Sequence, residues 1–191
     1  MNAAKIIGGA LKGRKILLPE RDGSRPTKAI ARESIFDSLQ SEIGAFAFAE
    51  LFAGSGSVGL EAISRGAKSA IFIERDKTAF NVLKQNIAAL KISNAKCFLG
   101  DSFVLIARAI EYLKAQKQKA WFYLDPPFSI REGFSQIYEQ TQTLLSSLPI
   151  NALAGAIVEH SSSVVLNDCL GALAISKRRK FGKTTLSYYQ I

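Results

Sequence analysis

Between residues 47 and 159 the chain repeats one unit, a short apolar run followed by a longer segment with helical patterning. The apolar runs at 47–53, 70–74, 95–99, 120–124 and 154–159 read as strands. Between them lie helical segments at 57–66, at 77–91, around Phe103, Ile106, Ile110 and Leu113, and at 133–147. The second of these carries Phe80, Leu83, Ile87 and Leu90 at helical spacing. Strands separated by helices of roughly 10–15 residues form βαβ units, and right-handed crossovers stack these into a parallel, doubly wound sheet. A helix near 163–170 and strands at 172–177 and 184–190 complete the pattern. The link from 178 to 183 is too short for a helical crossover, so the last strand should pair antiparallel. The expected fold is a seven-stranded, Rossmann-like α/β sheet with helices on both faces.

A smaller unit precedes the repeat. Residues 5–18 read as two short strands around a glycine turn, residues 19–27 as a loop, and residues 28–41 as a helix capped by Thr27 and ended by Gly44. This divides the chain into a basic hairpin arm and loop, 1–27, and a main domain, 28–191. Hydrophobic residues make up 48% of the chain, enough for a sizeable core. No run approaches the ~18 apolar residues of a membrane span, and the start lacks the apolar run of a secretory signal. Cys97 and Cys169 form no CxxC pair and are expected to pack as small buried residues. A cytoplasmic, monomeric protein is expected.

The net charge of +9 points to a polyanionic partner. Lys5, Lys12, Arg14, Lys15, Arg25 and Arg32 crowd the N-terminal region, and 177–183 is a second basic run.

Glu50-Leu51-Phe52-Ala53-Gly54-Ser55-Gly56-Ser57-Val58-Gly59 joins the first strand of the repeat to its helix. The glycines fit G-x-G-x-x-G, and Glu74, followed by Arg75, ends the second strand twenty residues after Gly54. This spacing belongs to nucleoside-bearing ligands: glycine allows close approach, and the acid accepts ribose hydroxyls. A dinucleotide would bring a pyrophosphate to the helix N-terminus. S-adenosylmethionine has no phosphate but carries a sulfonium and an amino-acid end, which an acid at Glu50 suits better. Asp101-Ser102, after the third strand, takes the third position on the rim, where Asp101 is placed for an adenine amino group or as a helix cap.

The fourth strand runs into Asp125-Pro126-Pro127-Phe128. Two prolines stiffen the chain and cannot extend a ladder. The Asp125 carboxylate and Pro126 carbonyl suit the two hydrogens of an amine on a ring, with Phe128 stacked on that ring. The nitrogen lone pair is then aimed at an electrophilic methyl, and in-line positioning supplies much of the rate. His160 reads as structural. No cluster of metal-ligating residues stands out, and no metal is expected.

Gly54–Gly59, Glu74, Asp101 and Asp125–Phe128 together resemble the amino-methylating class I S-adenosylmethionine-dependent methyltransferases. Ile6-Ile7-Gly8-Gly9, Gly13-Arg14-Lys15, Arg25-Pro26-Thr27, Arg32-Glu33 and Phe36, with LFAGSG and DPPF, resemble more closely the RsmD family. Members of that family are bacterial guanine-N2 methyltransferases of small-subunit (16S) ribosomal RNA. The chain departs from it at Glu50, usually Asp, and at Lys5, usually Arg. The resemblance implies a cofactor held by Glu50, Phe52, Ala53, Gly54, Ser55, Gly56, Glu74, Arg75, Asp101 and Ser102. It implies chemistry at Asp125, Pro126, Pro127 and Phe128. It also implies RNA contact through Lys5, Lys12, Arg14, Lys15, Arg25, Thr27 and Arg32, on free RNA or on the assembled subunit. The readings left beside it are a DNA amino methyltransferase, a non-catalytic RNA-binding protein, and an NAD-dependent dehydrogenase, which would leave DPPF without a role.

Overall fold

A computed structural model of the chain describes residues 2–19, 26–127 and 136–191. The roles expected of Arg25 and Phe128, and of the side chain of Thr27, fall outside the described residues. The chain begins with a hairpin, β1 (Ala3–Lys5) and β2 (Lys15–Leu17), and α1 (Pro26–Leu39). The repeat follows as β3 (Ala47–Glu50), α2 (Ser57–Ser64), β4 (Ala70–Glu74), α3 (Lys77–Ala89), β5 (Ala95–Leu99), α4 (Ser102–Ala115) and β6 (Ala120–Leu124). Last come α5 (Ile137–Ser147), β7 (Leu153–Ser161), β8 (Cys169–Leu170), β9 (Leu173–Phe181) and β10 (Thr184–Gln190).

The main sheet has eight strands in the order β5-β4-β3-β6-β7-β10-β9-β8. Pairings from β5 through β7 are parallel, and β10 runs antiparallel to both β7 and β9. The expected seven strands become eight because no helix forms at 163–170. That segment instead ends in β8, and neighbours satisfy its backbone. Arg178 donates to the Leu166 carbonyl, Tyr189 to that of Asn167, and Gln142 accepts from Asn167 N–H. Three further boundaries move. The first helix starts at Pro26, whose missing N–H suits a first turn, so Thr27 lies inside that turn rather than capping it. It ends at Leu39, ahead of a 3₁₀ turn at Ile43–Ala45 that contains Gly44. Strand β3 stops at Glu50 rather than at residue 53.

Alternation along the strands separates two layers. Ala47, Ala49, Phe122 and Val158 face α4 and α5, while Phe48, Trp121, Tyr123 and Ile157 face α1 and α2. Ile6 and Ile16 of the hairpin join Leu60, Phe72 and Leu83 in a third apolar cluster, so the arm is part of the core. Glu61 of α2 anchors it. This carboxylate has no solvent exposure; it accepts from Ile7 N–H at 2.8 Å and from Gly8 N–H at 2.7 Å. Asn86 of α3 holds the other strand, exchanging bonds with the Leu17 N–H and carbonyl. Gly9, at φ 77°, passes so close to the end of α2 that a Cβ there would lie 1.8 Å from the Ser64 carbonyl oxygen. Both cysteines are unpaired, and Cys169 is exposed at the sheet edge, contrary to the expected burial, because β8 is the outermost strand. No described helix is long and apolar enough to cross a membrane.

Candidate active site

Strand order reverses between β3 and β6, and this marks the switch point beyond the C-terminal strand ends where open α/β sheets bind ligands in a crevice. Four carboxylates stand at those ends: Glu50 on β3, Glu74 on β4, Asp101 after β5 and Asp125 after β6.

The glycine loop and Glu74 are in direct contact. Gly54 N–H donates to Glu74 Oε2 at 2.7 Å, and Asp76 N–H donates to Oε1 at 2.6 Å. A carboxylate offers about four acceptor positions, so Glu74 keeps room for two more donors, the number that a ribose diol supplies. The loop itself is pinned: Ala53 N–H bonds to Ile73, Gly56 N–H to Ala53, and Asn86 Nδ2 to the Ser55 carbonyl. Gly56 starts α2 with φ 77°, which a side chain rarely adopts. At Gly59 a Cβ would lie 2.4 Å from the Phe72 ring, so the third glycine serves helix-on-strand packing. Phe52, partly buried, meets Phe103 edge-on at 5.8 Å between ring centroids. Arg75 is exposed beside Glu74.

Asp101 caps α4 through Phe103 N–H at 2.8 Å, and the Ser102 hydroxyl donates to the Leu51 carbonyl. Ser102 is thus turned into the scaffold rather than the crevice, because it ties α4 to the end of β3.

Glu50 is also turned inward. It is 2% exposed and accepts from Gly59 N–H at 2.8 Å and Val58 N–H at 3.4 Å, filling the N-terminus of α2. Burial pushes its pKa up to about 8; the two N–H bonds and Arg32 oppose that rise, and Asp125 adds to it. In the unfolded chain this carboxyl titrates near 4.5, so the folded state binds the extra proton between there and about 8. Stability therefore falls as pH rises through that window and levels off above it. Glu50→Gln keeps an acceptor for Gly59 without the buried charge. We expect its melting temperature to exceed the wild type's at pH 8.5 and to converge with it near pH 5, measured by thermal unfolding across pH.

Asp125 continues β6 into Pro126, which is buried, and Pro127, which is half-buried. Its side chain is 26% exposed, and Lys28 Nζ on the first turn of α1 lies 3.8 Å from Oδ2. Behind it the Tyr123 hydroxyl donates to Glu159 Oε2 at 2.6 Å in a buried position. His160, 1% exposed, packs in the structural manner expected, between Ser187 Oγ and the Ser161 carbonyl.

The arm's charges divide. Arg14 donates to the Ala89 carbonyl at the end of α3, and the turn that carries Lys12 packs beside the end of α2. Both helices end at the pole opposite the crevice, because each starts at the crevice rim. Arg32 is only 7% exposed; it donates to the Lys5 carbonyl at 2.9 Å and faces Glu61 at 3.7 Å. It joins arm to domain instead of facing an RNA surface. Lys5, Lys12 and Lys15 remain exposed. Sequence reasoning missed Glu61, Asn86, Lys28, Phe103 and Glu159 as parts of the site and its support. Only Phe103 had a signal, an aromatic directly after the Asp101-Ser102 pair.

Comparison with known proteins gives a consistent picture. The family model described as Conserved hypothetical protein 95 matches residues 4–190. A Bacillus subtilis protein named "Putative rRNA methyltransferase YlbH" is 30% identical over 191 residues, covering 97% of this chain and 98% of that one. "Ribosomal RNA small subunit methyltransferase D" of Escherichia coli K12 is 39% identical over 143 residues, 74% of this chain and 66% of that one. Among solved structures, "Putative methyltransferase yhhF" from Escherichia coli superposes with a TM-score of 0.78 at 31% identity, covering 99% of this chain and 98% of that one.

Proposed function

The chain belongs to the family described as Conserved hypothetical protein 95, and from that premise we propose that it methylates ribosomal RNA. The methyl passes from S-adenosylmethionine to the exocyclic N2 amine of a guanine in the small-subunit (16S) RNA. The observation that carries the choice of cofactor is Glu50. It already occupies the α2 amides to which a dinucleotide would bring its pyrophosphate. Three more carboxylates line the same rim, a field that favours a cationic sulfonium and ammonium over phosphates.

The cofactor supplies an electrophilic methyl. Glu74 holds the ribose through its remaining acceptor positions, Phe52 and Phe103 flank the adenine, and Asp101 takes the adenine amine. Asp125 and the Pro126 carbonyl accept the two N2 hydrogens of guanine, so the lone pair points at the methyl carbon. As the C–N bond formed, the methyl–sulfur bond would break and S-adenosylhomocysteine would leave; the Asp125 carboxylate would stabilise the charge on nitrogen until that nitrogen sheds its surplus proton to solvent. The guanine is splayed from its stack to reach this point, at a cost of about a few kcal/mol that phosphate contacts offset.

Those contacts fall on the crevice rim. Ser162 N–H bonds to the Lys183 carbonyl, which fixes the exposed β9–β10 turn beside the end of β7. Lys180 near the end of β9 and Lys183 on that turn, with Lys28, form a basic lip. Double reversal of Lys180 and Lys183 to Glu should weaken ribosomal RNA binding and lower the slope of log affinity against log salt by roughly one to two units. Reversal of Arg14 and Lys15 should leave that slope nearly unchanged and lower stability through the lost α3 contact. The opposite pattern would move the RNA surface to the arm.

Transfer of tritiated methyl from S-adenosylmethionine to naked 16S RNA, small subunits and duplex DNA tests the proposal. Incorporation into either RNA form but not DNA is expected. Incorporation into DNA alone overturns it.

A further inference from the structure

Guanine and adenine differ most at ring nitrogen N1, which is a donor in guanine and an acceptor in adenine. A site that holds only the amine cannot tell them apart, so a second group must read N1. Glu159, two residues before the end of β7, is placed to do so. Strands β6 and β7 run parallel with Leu124 beside Val158, so Asp125 and Glu159 follow in step at the same edge. Both act electrostatically on the same two hydroxyls, those of Tyr123 and Tyr138. Glu159 is 6% exposed, and its Oε2 takes the Tyr123 hydroxyl proton at 2.6 Å. No hydrogen bond to Oε1 forms among the described residues. Nothing in the packing requires an acid here. Tyr123 would be satisfied by any acceptor, and a carboxylate is costly to bury without a partner.

We infer that Glu159 determines guanine specificity by accepting the N1–H of the target base through Oε1, while the Tyr123 hydroxyl fixes the orientation of the carboxylate. An adenine would turn the N1 lone pair toward this acceptor-only group, and the mismatch excludes it. This inference rests on the reading of Asp125 as the holder of a guanine N2 amine. A site built to bond a substrate N–H rejects analogues that lack it far more strongly than it rejects changes of size.

The test uses 16S RNA carrying either guanine or 2-aminopurine at the position the wild-type protein methylates. The analogue keeps the N2 amine but presents an acceptor at N1. Wild type should methylate guanine at least ~100-fold faster than the analogue. In Glu159→Gln the amide oxygen takes the Tyr123 proton, and the amide NH₂ faces the base. The preference should then collapse by ~30-fold or more, with slower guanine turnover and faster analogue turnover. Tyr123→Phe leaves the carboxylate but frees its orientation. It should weaken discrimination less, and it carries the test if Glu159→Gln does not fold. Wild type that prefers guanine and variants that keep its full preference overturn the role of Glu159 alone. Wild type that places no methyl on guanine N2 overturns the parent reading, and the role of Glu159 with it.

Discussion

Asp125→Ala should lower turnover by on the order of 100- to 1,000-fold while cofactor affinity changes by only a few-fold. The two halves of the expectation come from different contacts. On the proposed reading, cofactor grip lies with the loop that Glu74 pins at Gly54 and with the rim at Phe52 and Asp101, whose contacts do not involve Asp125. In the proposed mechanism the lost carboxylate holds the amine and stabilises the charge that appears on nitrogen, an interaction made mainly in the transition state, so kcat should fall more than binding. Single-turnover methyl transfer and calorimetry with S-adenosylmethionine measure the halves separately. A large loss of cofactor affinity with unchanged turnover at saturation would assign Asp125 to the cofactor instead.

Glu61→Ala should cost about 3–5 kcal/mol of stability, although residue 61 touches no ligand. The carboxylate is fully buried and gathers Ile7 N–H, Gly8 N–H and Arg65 Nε, with Arg32 facing it. Removing it strands two backbone donors and leaves the Arg32 guanidinium buried without its counter-charge. The hairpin should then loosen from α2, and equilibrium denaturation should show a lower midpoint, with a lower m-value if the hairpin detaches first. A loss below about 1 kcal/mol would mean that the apolar seam of Ile6 and Ile16 holds the arm unaided.

The difference between these two residues shows what was legible in the sequence. Asp125 announces itself because local chemistry does: an acid, two prolines and an aromatic at a strand end form a short-range pattern. The same holds for β4, β5, β6 and β10, whose apolar runs match the observed strands residue for residue. Glu61 is silent because its partners at Ile7 and Gly8 lie more than fifty residues away. On its own helix it looks like any acidic residue of an exposed face. The segment after β7 misled for a related reason. Its composition permits a helix, and side chains from α5, β9 and β10 satisfy the Asn167 N–H and the Leu166 and Asn167 carbonyls of the extended form. In the basic arm, composition does not say which pole of the domain a cation occupies. Arg32 is buried on the Lys5 carbonyl, Arg14 is exposed and bonds to the Ala89 carbonyl, and Lys28 of α1 lies against Asp125. The orientation of Glu50 was not legible, since only the packed helix shows that it fills the α2 terminus.

The measurement closest to the centre of this account is nucleoside mass spectrometry of 16S RNA incubated with S-adenosylmethionine and either wild-type protein or Asp125→Ala. The account predicts N2-methylguanosine at one position with the wild type and almost none with the variant. Methyl found on another base or another atom, or N2-methylguanosine formed equally well without the Asp125 carboxylate, would contradict it.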